Sequence, residues 1–151
     1  MPETTIPVLV TVSSVAVNEH GQLEEPMRML VPGELLRRGE HWLLHYEENL
    51  TDEADHTTVT HDVRLLLAPG RVVLTRKGPY GMMLVLEKGK RFEGVYHTPF
   101  GDLPMAVYPA VVQCDASAEK GSIRLQYQLD LQGAFASERR MRIDYVINAV
   151  C

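Results

Sequence analysis

Apolar residues recur at every second position along most of the chain, the spacing that puts alternate side chains on opposite faces of a β-strand. From Gly121 to Leu131, the residues Ile123, Leu125, Tyr127, Leu129 and Leu131 alternate with Arg124, Gln126, Gln128 and Asp130. One face of that strand is buried and the other wet, and a slip of one residue would invert both, so its register is strongly specified. Met141, Ile143, Tyr145 and Ile147 repeat the pattern against Arg140, Arg142, Asp144 and Asn148. The two segments read as consecutive antiparallel strands joined through Gly133 to Ser137. Upstream, the β-branched run Ile6 to Val17 predicts a strand, as do His41 to Leu50, Thr57 to Leu67, Arg71 to Lys77 and Met82 to Glu87.

Turn signals divide these runs. Ala68-Pro69-Gly70-Arg71 suits a type II turn, because Pro presets φ at the second position and Gly accepts positive φ at the third. Val31-Pro32-Gly33-Glu34 has the same form and predicts the same turn, and Glu34 to Arg38 reads as a single helical turn. Pro79-Tyr80-Gly81 and Pro99-Phe100-Gly101 predict two similar turns, with Lys88-Gly89 closing a third that brings Glu87 near Lys90 or Arg91. Pro104 and Pro109 cannot donate to a ladder, so the strand after Phe100 is expected to be bent, bulged or partly at an edge. Thr51 to His56 is the most polar segment and reads as an exposed hairpin tip. About nine or ten short antiparallel strands follow, which periodicity alone fits to a closed up-and-down barrel or to a sandwich.

Length and charge narrow the function classes. A chain of 151 residues fits one domain, 1–151, with a core that needs no staples. The net charge of -5 argues against nucleic acid as the main partner. The two cysteines, Cys114 and Cys151, are too few for a disulfide framework. No signal peptide is visible, and no apolar run reaches the ~18 residues that span a bilayer. The expectation is a cytoplasmic protein with no membrane contact.

The string Leu86-Glu87-Lys88-Gly89-Lys90-Arg91, followed by Gly94-Val95-Tyr96-His97-Thr98-Pro99-Phe100-Gly101 and Leu103, resembles the YwiB-like family of small bacterial proteins. Tyr46-Glu47-Glu48, Thr57-Thr58, Arg76 with Gly78, and Gly121 with Leu125, Tyr127 and Leu129 extend the likeness over essentially the whole chain. The resemblance implies a calycin-like (lipocalin-like) up-and-down β-barrel of about 8–10 strands. It carries over no activity and no site residues, since none is established for the family. Pro104 stands where a polar or small residue is expected.

Period two supplies the candidate chemistry. If Leu44 and Tyr46 face the barrel interior, so does Glu48, and Arg76 shares a face with Val72 and Leu74. Tyr46, Glu48, Arg76, Tyr96 and Tyr127 then become the few polar contacts of a ligand cavity, with His97 and Thr98 as further candidates. The competing interpretation is an internal ion pair with tyrosine hydrogen bonds that ties one barrel end. Six histidines raise a metal site, with His41 and His45 on one face and His56, His61 and His97 on other segments, yet no recognised ligand spacing appears. Ser13, Ser14, Ser117 and Ser122 lack a nucleophile context, and Cys114 reads as a small half-buried hydrophobe. Methionines such as Met27, Met29, Met82, Met83 and Met105 read as core filling. The expected function is a non-enzymatic barrel that takes a small, partly apolar molecule inside or at its mouth, with no cofactor and no metal. The alternative is a side-chain-filled structural module whose outer face binds a partner or a second copy, giving a homo-oligomer.

Overall fold

Strands form wherever the alternation runs, and each lies beside its neighbour in sequence. The structure, a computed structural model, describes residues 5–24, 26–51 and 55–148. Ten strands follow one another: β1 (Thr5–Val17), β2 (Met27–Arg38), β3 (His41–Thr51), β4 (Thr58–Ala68), β5 (Arg71–Lys77), β6 (Met82–Glu87), β7 (Phe92–Thr98), β8 (Gly101–Ala116), β9 (Lys120–Leu131) and β10 (Ala134–Ile147). Their order in the sheet is β6-β5-β4-β3-β2-β1-β10-β9-β8-β7, so the first and last strands pair in the middle, from Val8 with Ile147 to Val17 with Glu138. The two edges, β6 and β7, meet where Gly81 and His97 exchange both backbone hydrogen bonds, at 3.1 and 2.8 Å. The result is an all-β, nearly closed up-and-down barrel, consistent with a calycin-like architecture. Among the described residues no helix is long and apolar enough to cross a membrane, which says nothing of spanning strands.

The inward positions fill one half of the barrel. Val8, Val10, Val12, Leu35, Leu44, Leu65, Leu67, Val72, Leu86, Ile123 and Ile143 are all buried there. The β8–β9 turn is tied to this half by Tyr145, whose hydroxyl donates to Ser117 O at 2.6 Å and accepts from Ser117 N–H at 3.1 Å. Tyr145 lies flat against Gly121, its partner across the ladder, where an added Cβ would come within 2.0 Å of the ring.

Several turn expectations give way to pairing. Val31-Pro32-Gly33-Glu34 is no turn but the middle of β2, in register with β1 throughout. Pro32 needs no partner for a missing N–H, because the ladder to β3 begins only at Gly33. Gly33 serves close approach instead of positive φ, as a Cβ there would sit 2.8 Å from both His45 O and Val10 Cγ2. Glu34 to Arg38 is strand as well, with Leu35 opposite Leu44, so tertiary pairing overrides the local helical preference. The link between β9 and β10 is shorter than Gly133 to Ser137: Gln132 and Gly133 alone form the turn, both at positive φ as a tight hairpin requires, and β10 bulges between Phe135 and Ser137. The long β8 does bulge, between Pro109 and Val111. Glu87 lies 2.8 Å from Lys90 and 2.9 Å from Arg71. Asp52, Glu53 and Ala54 of the expected hairpin tip lie outside the described residues.

The β5–β6 connection, which delivers Gly81 to the closing pair, is held by two inward side chains. His61 is completely buried, and its Nε2 accepts from Tyr80 N–H at 3.1 Å. Arg76 Nε donates to the carbonyl of the same residue at 2.9 Å. The acceptor role of Nε2 places the imidazole proton on Nδ1, 3.8 Å from Glu48 Oε1. Burial, reinforced by the nearby Arg76 charge and opposed by Glu48, lowers the pKa of His61. The ring packs on Gly78, where a Cβ would approach Cδ2 to 2.5 Å.

Two predictions follow from this packing. Gly121→Ala should displace the Tyr145 ring and destabilise the fold by about 1–3 kcal/mol, read as a lower urea midpoint at unchanged slope. An unchanged midpoint would contradict the contact. His61 is neutral in the folded state and binds its proton more readily when unfolded, at about pH 6.5. Its contribution is therefore complete above that pH and declines as the pH falls from there through the lower folded value. Unfolding free energies between pH 7 and pH 5 should drop less steeply for His61→Gln, which keeps an acceptor for Tyr80 but cannot be protonated; identical profiles would exclude His61 as the group.

Candidate functional site

The half of the barrel opposite the Tyr145 tie is not filled. A cavity of about 300 Å³ opens there. Its polar groups arrive by the same alternation that builds the core. On β3, Leu44, Tyr46 and Glu48 point inward in turn; on β5, Val72, Leu74 and Arg76 do so, and β4 places Val63 between Tyr46 and Arg76 in the ladder. Tyr96 comes from β7 and Tyr127 from β9, and Arg139 sits directly across the β9–β10 ladder from Tyr127. The apolar wall includes Leu74, Met82, Leu84, Leu129, Leu131 and Met141.

Glu48 and Arg76 form an ion pair, Oε1 to Nη1 at 3.5 Å. The ion-pair half of the structural interpretation is therefore present, but the tyrosine half is not. Tyr127 reaches only the sulfur of Met141, at 3.8 Å, and Tyr46 has no hydrogen-bond partner among the described residues although it is only 3% exposed. Burial, aided by the Glu48 charge, pushes the Tyr46 phenol well above its usual pKa. Burial also raises that of Tyr127, against the opposing pull of Arg139 and then Arg76. Both phenols stay protonated and can donate into the cavity. Ser14, Ser137 and Tyr96 likewise line it without a hydrogen-bond partner among the described residues.

Of the candidates read from sequence, Tyr46, Glu48, Arg76, Tyr96 and Tyr127 come together around this cavity. His97 and Thr98 do not. The His97 side chain is exposed on the outer wall, with Nδ1 2.9 Å from Asp102 Oδ1, and its backbone closes the barrel. Thr98 Oγ1 donates to Gly101 O at 2.7 Å and accepts from Phe100 N–H at 3.1 Å, which stabilises a turn. The histidines do not converge: His45 lies outside, 2.7 Å from Asp62, while His61 is inside. Among the described residues no group of three or more His, Cys, Asp or Glu is placed to hold a metal ion. Cys114 is a half-buried free thiol, and burial, with Asp115 adding to it, pushes its pKa up to about 11, far from a reactive thiolate. Cys151 lies outside the described residues.

The candidates read from sequence include neither Arg139 nor Ser137 nor the buried role of His61, and Ser14 enters the sequence analysis only as a serine without a nucleophile context. The signal was available for two of them: Arg139 is two residues before Met141, and His61 two before Val63.

None of the curated proteins compared with the chain matches it. Among solved structures, the crystal structure of the ywiB protein from Bacillus subtilis is similar, with a TM-score of 0.79 and 23% identity over 97% of this chain and 96% of that one. That likeness speaks for the fold alone. A family model described as a domain of unknown function, DUF1934, matches residues 10–143 and so takes in most of the packed half of the barrel and the whole polar wall of the cavity. The chain belongs to this YwiB-like family of domains of unknown function.

Proposed function

We propose that the protein is a non-enzymatic binder that holds a small, partly apolar molecule in the open half of the barrel. The observation that carries this reading is the Tyr46 hydroxyl, which opens onto the cavity from a side chain only 3% exposed and has no hydrogen-bond partner among the described residues. The volume of about 300 Å³ stands at the lower end of the range for ligand pockets. At about 30 Å³ for each water-sized group, it suits a ligand of roughly ten non-hydrogen atoms. A few convergent hydroxyls on an otherwise apolar wall are the composition such pockets use for orientation. Filling by side chains, as in the structural-module reading, accounts for the packed half only. The free Cys114 thiol accords with a reducing, cytoplasmic setting.

Methionine methyl groups report the site directly. With ¹³C-methyl methionine labelling and 1-octanol as the probe, the signals of Met27, Met82 and Met141, which line the cavity, should shift saturably, while that of the exposed Met83 should not. Leu131→Trp, which fills the cavity from β9, should abolish the shifts. Uniform or absent shifts would overturn the proposal.

A further inference from the structure

The charges around the cavity are not all paired with one another. Glu48 is engaged by Arg76 at 3.5 Å and faces His61 Nδ1 at 3.8 Å. Arg76 is held on two sides, by Glu48 and by the Tyr80 carbonyl. Arg139 is different. It projects from β10 beside Tyr127 and Ala16 at the rim, and among the described residues it has no carboxylate within ion-pair distance and no hydrogen-bond acceptor. Glu24 stands at the same rim, its backbone N–H bonded to Ala16 O at 2.8 Å, but its carboxylate makes no ion pair with Arg139.

The hydrogen-bonding character of the wall points the same way. A guanidinium only donates, the hydroxyls of Tyr46 and Ser137 are free to donate as well, and that of Tyr127 is held only by the weak acceptor Met141 Sδ at 3.8 Å. The buried carboxylate on this wall, Glu48, is already paired. A ligand that satisfies this wall brings acceptors, and one that balances Arg139 brings a negative charge. The remainder of the wall is apolar, with Leu74, Met82 and Leu129 behind the polar groups.

Resting on the binding function proposed above, we infer that the ligand is a small amphipathic carboxylate, its acid group at the rim on Arg139 and the Tyr127 hydroxyl, its apolar tail directed into the barrel. Glu48 disfavours a second negative charge deeper in the cavity, which selects a monoanion. The apolar tail supplies affinity, since each buried methylene contributes about 0.8 kcal/mol, and the carboxylate sets orientation.

Isothermal titration with octanoate, 1-octanol, octylamine and acetate tests the inference on the full chain. Octanoate should bind about tenfold or more tightly than 1-octanol, as a charge-assisted hydrogen bond at a partly desolvated site provides. Octylamine should bind more weakly than either, and acetate should show no saturable binding in the same range. In Arg139→Gln the ratio of octanoate to octanol affinity should fall to near one, and Arg139→Lys should restore part of it; Arg139 is exposed, so neither change threatens folding. Octanol or octylamine binding as well as octanoate would overturn the carboxylate inference and leave the cavity reading standing. Binding of none of the four would overturn both, and equal binding of acetate and octanoate would reduce the site to a surface anion contact and so overturn the inference.

Discussion

A sheet of ten strands becomes a barrel only if its last two edges meet, and here they meet through one pair of residues. Gly81 and His97 exchange the two hydrogen bonds that join β6 to β7, whereas the neighbouring seams are continuous ladders. That closing pair is reached through the Tyr80 peptide, held at its N–H by His61 and at its C=O by Arg76. A backbone segment between two strands would otherwise satisfy these groups with solvent. Two inward side chains from β4 and β5 fix it in place, and an unpaired edge, the usual liability of an open sheet, is removed.

The same clamp brings charge into the barrel. Arg76 cannot hold Tyr80 without lying beside the cavity, and a cation so placed requires the counter-charge that Glu48 provides from β3. Buried ion pairs contribute little net stability, because desolvation offsets most of the attraction. Their contribution here is geometric: Glu48, Arg76 and His61 tie β3, β4, β5 and the β5–β6 connection into one arrangement. The polar floor of the cavity is thus a by-product of closing the barrel, and the separate question is why the groups above it lack partners.

Much of this was legible from periodicity. Counting by twos from Leu44 carries Glu48 inward, and from Val72 carries Arg76 inward, which the structure shows to be correct. The same count from Val63 reaches His61 and from Met141 reaches Arg139, but histidine was weighed as a metal ligand and the start of β10 was assigned to a loop. The bulge between Phe135 and Ser137 hides that start, because it breaks the alternation at the point where a strand would be recognised. Pro32-Gly33 misled for another reason. Local chemistry there favours a turn, while the pairing of β2 with β1 on one side and the crowding of Gly33 against Val10 and His45 on the other demand an extended chain. Local preference is worth tenths to one kcal/mol per residue, and a ladder flanked by buried side chains outweighs it. His97 lies off the cavity wall on phase alone, since Tyr96 beside it takes the inward position.

The two halves of the barrel answer different demands. The packed half is filled mainly by aliphatic side chains and the Tyr145 tie, whose hydroxyl is satisfied by Ser117, so nothing there gains from a visitor. In the open half, Tyr46, Ser14 and Ser137 are buried with no protein partner among the described residues, and Arg139 has no counter-charge. Packing alone would be served as well by aliphatic groups at the Tyr46, Ser14 and Ser137 positions, as in the packed half. Polar groups gathered on one wall of one cavity are the pattern expected when their partners come from outside the chain.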